Sequence, residues 1–193
     1  SLPRTLSPVL GLANTDPPDH TRLRKILSAK YMHRVHEGFP EFVQQTVSEL
    51  MDGLDCADGP VDFLTDLARV GPTPVNARLI GIPPESREQF KSATEVVGAF
   101  LGGLGGLEKV ARTRRASRRM LEEIARFRDI ISQRRRRPEN DLISAMVQAQ
   151  NDGLLGEEEV LAICMEMLFA GQETATDLIG NGLLSLLRHP AQL

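Results

Sequence analysis

A chain of 193 residues, 41% of them hydrophobic, has the length and apolar content of one domain with a sizeable core, which excludes a disordered or peptide-like class. Its formal charge of -3 gives no global attraction to nucleic acid or to an anionic membrane, and aromatic residues are scarce, with no Trp and one Tyr. The longest unbroken apolar run, Val160 to Met165, falls far short of the ~20 residues that span a bilayer, so a soluble protein without a membrane partner is expected.

Ser1 to Thr15 is punctuated by Pro and Gly and reads as loop, with nothing resembling a signal peptide. Asp16 then reads as a helix N-cap, with Pro17 at the first helical position and Asp19 three residues after the cap, where an acidic side chain favours the helix start. A helix of about three to four turns is expected to follow. His20 and Arg24 are four residues apart and share one face of it. On local chemistry that face is either a binding face for an anionic group or a solvated basic surface shared with Arg22, Lys25 and Lys30.

Pro40 opens a second helix whose stripe of Phe42, Val43, Val47, Leu50, Met51 and Leu54 reads as core. Asp55 to Pro60 breaks it. Val61 to Leu67 and Pro74 to Ile80 read as short helical segments separated by Gly71-Pro72, and Gly81-Ile82-Pro83-Pro84 ends the second. Cys56, in an expected surface loop, reads as an incidental thiol; with Cys164 in a dissimilar setting, the pair points to a reducing, cytoplasmic compartment rather than a disulfide framework.

Glu85 to about Phe100 reads as a helix, followed by Gly102-Gly103-Leu104-Gly105-Gly106. No strand precedes these glycines and their spacing is not that of a dinucleotide loop, so a flexible hinge is the better reading. Leu107 to Arg137 reads as a long basic helix stopped by Pro138; Glu122, Glu123 and Asp129 interrupt its arginines, which favours a solvated face over a nucleic-acid groove. Asn140 to Gln150 is a further helix, and Asn151-Asp152-Gly153 turns the chain.

The turn leads into the stretch that organises the rest. A helix starting near Gly156 or Glu157 and ending just before Pro190 runs about 45 to 50 Å, long enough to cross a domain. Into its apolar run is set Ala170-Gly171-Gln172-Glu173-Thr174. Gly171 in mid-helix costs about 1 kcal/mol relative to Ala, and a carboxylate beside a hydroxyl costs more unless each finds a partner. These residues mark either a site, with the small residues admitting a flat ligand or a water and with Glu173 and Thr174 supplying an acid and a hydroxyl, or a kink with Thr174 bonded back to a carbonyl.

A-G-Q-E-T after an apolar run resembles the oxygen-binding helix of the cytochrome P450 superfamily, the haem-thiolate monooxygenases, where an A/G-G-x-D/E-T motif passes over the haem. Asp16 to Arg24, D-P-P-D-H-T-R-L-R, is similar to the D-P-P-E/D-H-T-R-L-R segment of the bacterial soluble members. The two lie in the family's order and about 150 residues apart, and L-I-G-I-P-P, ending at Pro84, is a third and weaker match to the family's L-L-G-V-P-P.

The resemblance implies a mainly α, partial cytochrome P450 fold over residues 1–193: a haem-propionate helix at 16–30, lid helices and their hinge at 85–137, and the oxygen-binding helix at 157–188. It implies heme b (iron protoporphyrin IX) as cofactor, held through its propionates by His20 and Arg24, with Ala170 and Gly171 leaving room for oxygen. It assigns proton relay to Glu173 and support of the oxygen group or its water to Thr174. Small organic substrate, O2 and an electron-donor ferredoxin with its reductase are the implied partners, and substrate selectivity comes from the loop before Asp16, the lid helices and later segments. The family's axial ligand is a Cys in an F-x-x-G-x-x-x-C-x-G loop, and neither Cys56 nor Cys164 has that setting. The family's E-x-x-R pair is absent too: Glu123-Ile124-Ala125-Arg126 has the bare spacing but precedes the A-G-Q-E-T helix. A fragment with no metal ligand of its own, inactive alone, is therefore expected. The alternative is a non-enzymatic helical interaction or regulatory module.

Overall fold

The computed structural model describes residues 11–35, 38–54, 59–86 and 107–192, and these are helical, with no strand among them. In chain order the α-helices are α1 (Asp19–Val35), α2 (Phe39–Asp52), α3 (Pro72–Ile80), α4 (Leu107–Arg136), α5 (Leu142–Asn151) and α6 (Glu157–Arg188). Single turns at Leu12–Asn14, Leu64–Ala68, Pro84–Ser86 and Pro190–Gln192 complete the elements. The predicted helix from Glu85 to Phe100 and the glycine cluster at 102–106 lie, apart from Glu85 and Ser86, outside the described residues, as does Cys56.

The short helix α5 is the centre of the core. Asp141 caps it, its carboxylate accepting the Ser144 N–H at 2.7 Å, and Leu142, Ile143, Ala145, Met146, Val147 and Ala149 are all buried. A helix apolar on nearly every side is stable only when wrapped, and α1, α3, α4 and α6 each pack against it. From α4 come Phe127, Ile130 and Ile131, and from α6 come Val160, Leu161, Ile163, Cys164 and Met165. Burial pushes the Cys164 thiol far above its ordinary range, as for a small hydrophobe in an apolar core.

Gly81 ends α3 in the left-handed conformation, φ +102°, and a Cβ there would overlap the Asp141 side chain. That close approach lets Arg134 bind both sides of the junction: its Nε donates to Asp141 Oδ2 at 2.5 Å, and its guanidinium donates to the Gly81 carbonyl at 3.0 Å. Arg134 is therefore buried, unlike the solvated arginine that the basic run suggests. Glu123 and Arg126 likewise form a real pair, at 2.6 Å, with Glu123 only 1% exposed.

Other expectations shift. α1 begins at Asp19, because Pro17 and Pro18 form a turn that precedes the helix. α3 begins at Pro72 rather than Pro74. The stripe on α2 is only partly covered, Val47 being 46% and Met51 52% exposed, because α2 lies at the edge, where it meets α1 and α3. Its Phe42 ring carries the Arg78 guanidinium at 4.0 Å, a cation–π contact.

Candidate haem-facing site on the long helix

α6 changes character halfway along. Val160 to Met165 are buried on every side, but beyond them only the row Leu168, Gln172, Thr176, spaced by four, remains buried. Ala170, Glu173, Thr174, Asp177 and Asn181 are exposed, and each lies three or four residues from another of the set, so they share the opposite, open face. Large apolar groups continue that exposure, Leu178 reaching 75%.

The helix is held in register from the α3 side. Gln172 Nε2 donates to the Arg69 carbonyl at 3.0 Å, and its Oε1 accepts the Thr73 hydroxyl at 3.2 Å. Beside it, a Cβ on Gly171 would overlap the Asn76 amide. Gly171 thus permits close approach of α3, and the space expected there for a ligand is, on this side, filled by Asn76. Of the two small residues, Ala170 is the one on the open face.

On that face the Thr174 hydroxyl donates to the Ala170 carbonyl at 2.6 Å, within an unbroken α-helix. Its oxygen keeps lone pairs that can accept from an incoming donor. The Glu173 side chain, one residue earlier, is exposed to solvent and makes no hydrogen bond or ion pair among the described residues. An acid and a hydroxyl therefore stand side by side beside a small residue, on a surface whose back is anchored.

His20 is half-buried and Arg24 exposed on α1, and neither side chain is engaged by a hydrogen bond or ion pair among the described residues. No such bond joins them to Ala170–Thr174 either. Their neighbour Arg22 fixes α1 to the start of α6, donating to Glu159 at 2.5 Å and to the Leu154 carbonyl at 3.0 Å. Arg22 holds the Glu159 carboxyl below the usual carboxylate range. Glu159 in turn caps α6 by accepting the Gly156 N–H at 2.8 Å. Arg22 is thus part of the frame, and the free imidazole and guanidinium of His20 and Arg24 are the donor set that a pair of carboxylates requires. A porphyrin bearing two propionates fits that chemistry.

Two anchors escape a sequence reading: Gln172, the variable position of the motif, and Glu166, which accepts the N–H groups of Leu12 at 2.5 Å and Ala13 at 2.7 Å. The only signal for either is a polar residue interrupting the apolar run of a long helix. Among the described residues, no group of three His, Cys, Asp or Glu could hold a metal ion, and no helix is long and apolar enough to cross a membrane.

The arrangement is that of a helical domain built around one long helix with an acid–alcohol pair on its open face. The model of the Cytochrome P450 family matches residues 104–192. Cytochrome P450 107B1 of Saccharopolyspora erythraea is 37% identical over 190 residues, covering 97% of this chain and 44% of that protein. Vitamin D(3) 25-hydroxylase of Pseudonocardia autotrophica is 33% identical, covering 99% of this chain and 45% of that protein. Among solved structures, P450BioI in complex with an acyl carrier protein ligated to hexadec-9Z-enoic acid superposes with a TM-score of 0.83 at 29% identity, over 98% of this chain and 48% of that one. CYP109E1 from Bacillus megaterium in complex with testosterone gives a TM-score of 0.80 at 27% identity, over 96% of this chain and 48% of that one. The chain belongs to the cytochrome P450 superfamily and carries a partial, mainly α form of its fold, spanning less than half the length of these relatives.

Proposed function

We propose that this chain forms the distal wall and one propionate-binding face of a haem-thiolate monooxygenase of the bacterial type. The observation that carries the reading is the open face of the Ala170–Thr174 turn, where the Thr174 hydroxyl sits on the Ala170 carbonyl beside a Glu173 side chain unengaged among the described residues. When bound, heme b supplies reductive activation of dioxygen and transfer of one oxygen atom into a small organic substrate, the other oxygen leaving as water.

His20 and Arg24 hold the propionates by charge-assisted hydrogen bonds. Ala170 leaves space above the ring, and Gly171 serves that space indirectly by seating α6 against Asn76. Glu173 takes protons from solvent and passes them inward, and the Thr174 Oγ1 holds the water through which they travel. The anchored back of the helix, through Gln172, keeps both groups at a fixed height.

Electrons come from a ferredoxin and its reductase in the cytoplasm. With Arg22 taken up by Glu159, the exposed Lys25 is a cation of α1 available to meet an acidic donor. The chain lacks the F-x-x-G-x-x-x-C-x-G loop that supplies the thiolate, so alone it is inactive.

The test is Thr174→Ala in protein that also carries the thiolate loop. Product formed per reduced nicotinamide consumed falls by about tenfold, as expected when a proton-delivery group is removed. An unchanged ratio refutes the role of Thr174.

A further inference from the structure

We infer that Glu166 is a positioning residue that latches the 11–14 segment onto α6 and so fixes the wall of the substrate pocket beside Ala170. Leu12–Asn14 is a single helical turn, and the first N–H groups of any such turn have no partner within it. Gly11, at the cap position, has no side chain with which to satisfy them. The cap comes instead from a residue 154 positions away: one Glu166 oxygen accepts Leu12 N–H at 2.5 Å and the other accepts Ala13 N–H at 2.7 Å. Two charge-assisted bonds to consecutive backbone donors fix both position and orientation.

The fit is close on both sides. Gly11 is buried, and a Cβ on it would overlap the Glu166 carboxylate, so a glycine is required for the chain to pass under the latch. The Thr15 hydroxyl closes the turn onto the Leu12 carbonyl at 3.0 Å, and the Leu12 side chain packs against the core, as do Met167 and Phe169 of α6. Glu166 lies one turn before Ala170 and two before Glu173, so the latched segment borders the open face at the end nearest Ala170. Through the latch, Glu166 sets how Leu12 and Ala13 stand beside that face; the pocket role rests on the monooxygenase reading above, and the latch itself does not.

Backbone hydrogen exchange on the full chain tests the latch without haem. Glu166→Ala lowers protection at Leu12 and Ala13 by about tenfold or more while Val160 to Met165 stay protected. Glu166→Gln, with one acceptor oxygen in place of two, loses protection at one of the two amides, and being isosteric it decides the matter if the Ala variant unfolds. Unchanged protection at both amides in the Gln variant overturns the latch.

For the pocket, haem-loaded protein is titrated with imidazole and with the bulkier N-phenylimidazole, read by haem absorbance. Glu166→Gln changes the ratio of the two dissociation constants by about tenfold, because a loosened wall admits the larger ligand differently. Lost protection with an unchanged ratio overturns the pocket role. A parent protein that binds neither ligand overturns the haem reading and the pocket role with it, while hydrogen exchange still decides the latch.

Discussion

Gly171 of α6 and Asn76 of α3 are in such close approach that any side chain at 171 would overlap the Asn76 amide, whose nitrogen is itself buried and without a hydrogen-bond partner among the described residues. Gln172, the next residue, is held by Thr73 of α3 and by the Arg69 carbonyl. The back of the long helix is thus keyed to α3 at two adjacent positions, and this sets how Ala170, Glu173 and Thr174 stand on the open face.

Gly171→Ala is therefore expected to destabilise the chain by about 1 to 3 kcal/mol through overpacking. Helix propensity alone acts the other way, favouring Ala by about 1 kcal/mol, so the sign of the effect in urea unfolding separates the two. Adding Asn76→Ala removes the obstructing amide and restores most of the loss. A Gly171→Ala protein more stable than the parent contradicts the packing.

Arg134 joins Asp141 and the Gly81 carbonyl inside the core. Arg134→Met leaves the Asp141 carboxylate buried without its cation and is expected to cost about 3 to 5 kcal/mol. Combining it with Asp141→Asn keeps an acceptor for the Ser144 N–H while removing the orphaned charge, so the double variant is less destabilised than the sum of the single ones. Chemical denaturation of the four proteins measures the coupling.

Glu123 is buried, and desolvation pushes its carboxyl up to about 7, against a partial opposing effect of Arg126. Because the folded-state value lies above the ordinary one of 4.5, the contribution of this group to stability is complete below 4.5 and is lost as pH rises through about 7. Thermal unfolding between about pH 5 and about pH 8 is expected to show the parent losing up to about 3 kcal/mol from this source as pH rises. Glu123→Gln, which cannot ionise, flattens that slope; an identical slope in parent and variant contradicts the assignment.

The long elements were legible in the residues because their signals are local. Pro138 and Pro190 stop α4 and α6, Gly156 precedes α6, and the apolar period runs between. What the sequence does not carry is which neighbour a side chain meets. Arg134 is one of four consecutive arginines, and only the fold selects it as the one that faces Gly81 and Asp141. The stripe on α2 is properly amphipathic, yet periodicity cannot say how much of it a partner covers, and Val47 and Met51 remain exposed. At the site, A-G-Q-E-T could be found as a motif, but Gly171 and Gln172 take their meaning from Asn76, Thr73 and Arg69, and Glu166 takes its meaning from Leu12 and Ala13. Those partners are about 100 residues or more away in sequence, beyond any local pattern.

Haem affinity is the measurement that tests the account most directly, comparing parent protein with the His20→Ala, Arg24→Ala double variant by absorbance titration. Loss of two charge-assisted contacts to the propionates is expected to weaken saturable haem binding by at least about tenfold, with unfolding of the apoprotein unchanged. Equal haem affinity in the two proteins would contradict the proposed role of His20 and Arg24 in holding the propionates.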